Sequence, residues 1–181
     1  MIQSGKFDSS HMNIKKITSL ISSFIINRLI EISGIILSLI GALLLIALIS
    51  YSPTDPNFIF PENAEIKNLL GFQGSYISDL FLQSLGLISF LIPVTFIFSG
   101  INIFKKKEFF LIFENFFYIV IYSLIGSFFF SYFYNQTFSL YINGNGGFVG
   151  NYINQTFLNN IINAHESIFY YLLITCTFRK I

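Results

Sequence analysis

The chain has 181 residues, 54% of them hydrophobic and only 10% charged, with a mean hydropathy of +0.68. Those values exclude an ordinary water-soluble globule and describe an integral membrane protein. Ten Lys and Arg against nine Asp and Glu leave a formal charge of +1, too small a basic surplus for this segment to bind nucleic acid directly. A single cysteine, Cys176, excludes an internal disulfide and any multi-cysteine zinc site.

The first fourteen residues are polar and hold no apolar h-region, so no cleavable signal peptide is expected there. Met12 opens a second, more typical membrane-protein start, MNIKKITSLISS, and residues 1 to 13 are expected to be disordered. Ile14, Ile17, Ile21, Phe24 and Ile25 recur at helical spacing among Lys15, Lys16, Thr18, Ser19 and Ser22, the pattern of a helix lying on the membrane surface. Residues 1–28 thus form a cytoplasmic N-terminal segment ahead of a membrane domain over 29–178.

The first span covers about 29–51, where roughly 20 apolar residues at 1.5 Å each match a ~30 Å hydrocarbon core. Pro53 and Pro56 end it, since proline lacks the N–H that a helix needs. A polar stretch with Asp55, Glu62, Glu65 and the lone cation Lys67 leads to a second span at about 79–103. Ser78 and Asp79 are expected to cap its first turn, and Pro93 to kink it. Lys105, Lys106 and Lys107 follow, then a third span over about 109–134, rich in Phe and Tyr.

Residues 135–165 form a second polar connection without Lys or Arg, in which Gly144 to Gly150 reads as an external turn. The fourth span, about 161–178, is short and admits Asn163, His165 and Glu166; residues 179–181 are a cytoplasmic end. Nine of the ten cations lie before span one, between spans two and three, or in the tail. Because cations are retained on the cytoplasmic side, the expected fold is an all-α, four-helix transmembrane bundle with both termini cytoplasmic.

Chemistry is sparse. No Gly-x-x-x-x-Gly-Lys-Ser/Thr string and no Gly-x-Ser-x-Gly elbow occurs. His11 and His165 have no ligand neighbours at helical spacing, and Cys176 reads as a buried, inert thiol. Glu31, Asp79, Glu114 and Glu166 fall near the ends of the expected spans and read as solvated or capping carboxylates. No catalytic residue, cofactor or metal is expected. Ser38, Gly41 and Ala42 on span one, and Ser84, Gly86 and Ser89 on span two, offer small faces for packing within the bundle or for self-association.

Three segments carry a family resemblance. Ser50-Tyr51-Ser52-Pro53-Thr54-Asp55-Pro56 is similar to the Ser-Tyr-x-Pro-x-Asp-Pro segment that ends the first membrane helix of FtsK/SpoIIIE-type DNA translocases. Asn68, Gly71, Gly74, Asp79 and Leu80 resemble the Asn-x-x-Gly-x-x-Gly-x-x-x-x-Asp-Leu entry to that family's second helix, and Gly146, Gly147 and Gly150 its glycine motif. The likeness covers roughly 27–178. It implies a non-catalytic anchor in the bacterial inner membrane, directed to the division septum, that contacts lipid, further copies of itself and other cell-division membrane proteins. The family's ATPase motor and DNA-reading domain have no counterpart in these residues, and the short fourth span suits a truncated or split gene. A small integral membrane transporter or channel subunit is the alternative reading; an embedded enzyme using Glu31 or Asp79 is a third.

Overall fold

In the computed structural model, residues 5–56, 65–134, 143–158 and 166–178 are described. They form helix α1 (Gly5–Ile49), α2 (Gly71–Leu85), a 3-10 turn (Gly86–Phe90), α3 (Leu91–Lys106), α4 (Phe110–Phe133), α5 (Gly147–Ile153) with a π-type turn at Asn154–Leu158, and α6 (Glu166–Phe178). Among the described residues there is no strand, and three helices are long and apolar enough to cross a membrane: Lys16–Ile49, the near-continuous Gly71–Lys106, and Phe110–Phe133.

Helix α1 corrects the expectation at the N-terminus. Residues 5 to 13 are helical rather than disordered, and the amphipathic stretch and first span are one unbroken rod of 45 residues. No proline interrupts residues 5–49, so nothing in the chain forces a hinge between the two. The second span is corrected as well. It begins at Gly71, eight positions before Asp79, and its irregularity lies over Gly86–Phe90 rather than at Pro93. Pro93 falls in the first turn of α3, where its missing N–H removes no bond from a continuing helix. Gly86, which follows α2 and opens the 3-10 turn, has φ +70°, a conformation L side chains avoid. The third span follows the expected limits to within a residue at each end.

Helices α1 and α3 pack through small residues. A Cβ on Gly34 would lie 2.7 Å from the Gly100 carbonyl oxygen, and one on Gly41 would lie 2.8 Å from that of Pro93. Ser38 Oγ donates across this seam to the Ile97 carbonyl at 3.1 Å. Close backbone approach through small residues is the usual way helices associate in lipid, where no hydrophobic drive separates protein from solvent. The Ser38 and Gly41 face is therefore used inside one chain.

The core joins Leu44 and Leu48 of α1, Leu82 of α2, Ile88 of the 3-10 turn, Ile92 of α3, and Ile119 and Tyr122 of α4. Tyr122 and Thr95 share a hydroxyl hydrogen bond of 3.0 Å, while Thr95 also donates to Leu91 O. Outward positions of α1 and α4, such as Leu29, Leu39, Phe113 and Phe117, are large, apolar and well exposed. That surface would aggregate in water but matches hydrocarbon.

Helix α6 packs on α4. Tyr170 meets Phe133 edge-on at 4.8 Å, and a Cβ on Gly126 would touch Thr177 at 3.2 Å, so α6 runs antiparallel to α4 and its described end reaches the level of Gly126. Its 13 residues fall short of a crossing. Residues 161–165 and 179–181, including His165, Arg179 and Lys180, lie outside the described residues.

Candidate functional site

The residues singled out in sequence converge on one end of the bundle, where α1 stops and α2 starts. Asp55 is 5% exposed, and its two carboxylate oxygens accept the backbone N–H groups of Lys67 at 3.0 Å and Asn68 at 2.8 Å. Asn68 in turn donates its side-chain amide to the Ala47 carbonyl at 2.9 Å and the Ser50 carbonyl at 3.3 Å, with Ser78 Oγ at 3.4 Å. Carbonyls in the last turn of a helix have no partner within it. Asn68 supplies one from the far side of the loop and so terminates α1.

The same asparagine prepares the start of α2. Its Oδ1 accepts from the Leu70 N–H at 3.1 Å, and its carbonyl accepts from the Gly71 N–H at 2.9 Å. Gly71 holds φ +68° with open space where a Cβ would be, so conformation alone calls for glycine there. Gly74 answers a contact instead: a Cβ would stand 2.2 Å from Asn68 Oδ1. Pro56 accepts a hydrogen bond from Ser75 Oγ at 2.9 Å, and Ser50 Oγ accepts from the Leu69 N–H at 3.2 Å. Pro53 lies in the turn between the two helices. Residues 57–64, between the two motifs, are outside the described residues.

Tyr51 and Asp79 complete the clasp, the tyrosine hydroxyl donating to Asp79 Oδ1 at 3.1 Å. Asp79 is 8% exposed in the middle of α2, not the solvated cap expected from sequence. Because α2 starts eight residues earlier, its carboxylate turns into the bundle. Gln83, one turn on, points its amide nitrogen toward the same oxygen at 3.5 Å, and the Gln83 carbonyl accepts from Asn143 Nδ2 at 3.1 Å. The clasp is thereby connected to the glycine segment.

That segment is more than an external turn. Gly147–Ile153 is helical, and Gly146, Gly147 and Gly150 are buried between α2 and α4. The Leu87 N–H donates to the Asn145 carbonyl at 2.9 Å, whose oxygen would lie only 1.9 Å from a Cβ on Gly86. Ser127 Oγ donates to the Gly146 carbonyl. A Cβ on Gly150 would sit 2.2 Å from the Ser127 carbonyl oxygen, and one on Gly146 2.5 Å from Ser131. Ser131 Oγ donates to Asn151 Oδ1 at 2.6 Å, and Asn151 Nδ2 to the Asn143 carbonyl at 2.7 Å. Asn145 Nδ2 reaches the Tyr134 carbonyl at 2.6 Å and so closes the end of α4.

Sequence reading missed Ser127, Ser131, Asn143, Asn145 and Asn151. Ser127 and Ser131 are four apart on span three, a polar stripe that faces the glycine segment; in so Asn-rich a chain the asparagines do not stand out. At the opposite end of the bundle, Glu31 is the second corrected carboxylate. It is 9% exposed and paired with Arg28 Nη1 at 2.5 Å and Lys107 Nζ at 2.8 Å. Two of the basic segments that charge counting assigns to one side of the membrane thus meet on a single carboxylate. Cys176 is exposed on α6 rather than buried. The His11 side chain and Glu166 side chain lie outside the description.

Chemically, the convergent groups are two carboxylates, amides, hydroxyls and backbone carbonyls that bond mainly to one another, while Gln83 Oε1 is buried without a hydrogen-bond partner. Among the described residues no group of three His, Cys, Asp or Glu side chains could hold a metal ion.

Residues 27–178 match the family described as the 4TM region of DNA translocase FtsK/SpoIIIE. The DNA translocase FtsK of Rickettsia prowazekii (strain Madrid E) is 37% identical over 82 residues, 44% of this chain and 11% of the relative. That of Rickettsia bellii (strain RML369-C) is 35% identical over 77 residues, 42% of this chain and 10% of the relative. That of Caulobacter vibrioides (strain ATCC 19089 / CIP 103742 / CB 15) is 38% identical over 69 residues, 38% of this chain and 8% of the relative. The chain spans about a tenth of the length of these curated relatives. No solved structure matches.

Proposed function

The chain belongs to the family formed by the 4TM region of FtsK/SpoIIIE DNA translocases, and from that premise we propose that it is a non-catalytic membrane anchor that brings a translocase to the division septum. The observation that supports this reading is what the motif residues do. Tyr51, Asp55, Asn68, Gly74 and Asp79 hold two helix ends to one another, and Gly146, Gly147 and Gly150 seat a third element on them. A site built to react with a substrate leaves groups aimed at an open cavity; this one turns its polar groups inward.

The anchor crosses the inner membrane four times and keeps both termini in the cytoplasm. The meeting of Arg28 and Lys107 on Glu31 supports that weave, since the two basic segments then share one face. The fourth crossing contains α6, Glu166–Phe178. Translocation of DNA is the activity named for the relatives; this chain tethers, with self-association and other division proteins as partners.

Two measurements test it. A fluorescent fusion of the full chain is expected to gather at the septum of dividing cells, and uniform envelope fluorescence would overturn the recruiting role. Alkaline phosphatase joined behind Lys180 is expected to be inactive and a fluorescent protein there bright; the reverse would refute the cytoplasmic C-terminus.

A further inference from the structure

Taken as one straight rod, Gly71–Lys106 would be 36 residues and about 54 Å long, far more than a ~30 Å hydrocarbon core takes up. The contacts show where that length goes. Gly34 meets Gly100, Ser38 meets Ile97 and Gly41 meets Pro93, so α3 runs antiparallel to α1 in steady register. Continued toward the clasp, that register brings Ile92 and Ile88 to Leu44 and Leu48, with which they share the core. Gly86 therefore lies level with the last turn of α1. It also abuts Asn145, whose side chain closes the end of α4 at Tyr134.

The other end of α2 is at the same height. Asn68 bonds to the Ala47 and Ser50 carbonyls and leads directly into Gly71. Between the ends, Ser78 Oγ is 3.4 Å from the Asn68 amide, and Asp79 receives the Tyr51 hydroxyl. A helix of 15 residues is about 22 Å long. With its start, middle and end all level with residues 47–51, α2 lies across the end of the bundle instead of along it. Gly86, at φ +70°, is the corner where the chain turns into the crossing. The 3-10 turn and α3, of 5 and 16 residues, together reach about 34 Å and fill the hydrocarbon by themselves.

Polarity around α2 follows the same frame. Tyr51 and Pro56, from the chain beyond α1, bond to Asp79 and Ser75 on one flank. On the opposite flank Leu70, Ile77 and Phe81 share an apolar groove of about 460 Å³ with Ile40, Leu43 and Phe96, which lie nearer the middle of α1 and α3. The side turned away from the bundle exposes Leu69 and Leu80, and the one charged residue of α2, Asp79, is buried on the inner side. A helix facing water shows the reverse arrangement.

We propose that α2 is an interfacial helix, lying in the plane of one membrane surface with Leu69, Ile77 and Leu80 among the lipid chains, and that the second crossing itself is Gly86–Lys106. An acid at the edge of the hydrocarbon costs far less than one at its midplane, which is how Asp79 is accommodated. This placement holds whichever side of the membrane the clasp faces.

The chain has no tryptophan, so single-tryptophan variants report depth without background. Gln73→Trp, Tyr76→Trp and Leu80→Trp put the fluorophore on one face of α2, and Phe98→Trp puts it half-way along α3 at an exposed position. Each full-length variant, in phosphatidylcholine vesicles, is quenched with lipids brominated close to the headgroup or close to the chain end. The three α2 positions are expected to be quenched more by the shallow bromines, with one common shallow-to-deep ratio, and Phe98→Trp more by the deep ones. A rod crossing from Gly71 would set position 80 about 10 Å deeper than position 73; a ratio falling steadily from Gln73→Trp to Leu80→Trp would overturn the proposal. Quenching by neither lipid at α2, with Phe98→Trp still quenched, would overturn it too, since water or a second protein chain would then cover the face. Any two of the three α2 positions fix the slope, so one variant that does not fold leaves the outcome to the others.

Discussion

The Tyr51 hydroxyl donates to Oδ1 of Asp79 across 28 positions of sequence, joining the second residue after α1 to the middle of α2. The pair is predicted to be coupled. In a double-mutant cycle of Tyr51→Phe and Asp79→Asn, read by unfolding in mixed micelles, the interaction is expected to contribute about 0.5–1.5 kcal/mol. Strict additivity of the two losses would show that the contact carries no energy.

Asn68 is the more expensive residue to lose. Truncation to Ala removes the bond to Ala47 O, the weaker one to Ser50 O and the acceptor for the Leu70 N–H together. At roughly 1 kcal/mol for each good bond, Asn68→Ala is expected to cost about 2–3 kcal/mol. Asn68→Asp keeps the acceptor but not the donor and is expected to fall near Ala rather than near wild type. A wild-type unfolding midpoint for either would contradict the clasp.

Gly71 and Gly86 have nearly the same φ, +68° and +70°, but opposite surroundings. Gly71 has open space around it, so Gly71→Asn, which tolerates the left-handed region, is expected to cost less than about 1 kcal/mol. At Gly86 any Cβ would run into the Asn145 carbonyl, and Gly86→Ala is expected to exceed about 3 kcal/mol or to fail to fold. Equal costs at the two positions would mean that the glycine segment does not dock as described.

Glu31→Ala is expected to loosen the seam between α1 and the α3–α4 connection. Cysteines placed at Leu29 and Glu108 in a Cys176→Ser background should crosslink faster in that variant than with Glu31 intact, because the restraint from Lys107 on the connection is gone. Identical crosslinking rates would assign the packing there to the apolar contacts alone.

How much of this was visible in the sequence depends on the kind of force involved. The ends of α1 and α4 follow from Pro53 and from polar residues after Phe133, local signals that no distant contact overrides. The start of α2 was missed because Gly71 and Gly74 read as loop residues, and only Asn68, folded back from the loop, makes a helix start there. Asp79 and Glu31 read as solvated or capping groups for a related reason. Depth in the membrane was inferred from position along an assumed span, whereas burial came from partners 28 and 76 positions away. Cys176 failed the other way: an apolar neighbourhood suggests burial, but in lipid an apolar face points outward. The docking of the glycine segment was the hardest part to foresee, since Ser127 and Asn151 find their partners only after the helices have packed.

The unbroken run of α1 has a mechanical consequence. Its 45 residues extend about 68 Å, roughly twice what hydrocarbon alone requires, and no proline lets one part turn without the other. A lateral pull on the N-terminal portion is therefore expected to arrive as tilt at Ala47, so that α1 would act as a lever whose short arm ends at the carbonyl gripped by Asn68.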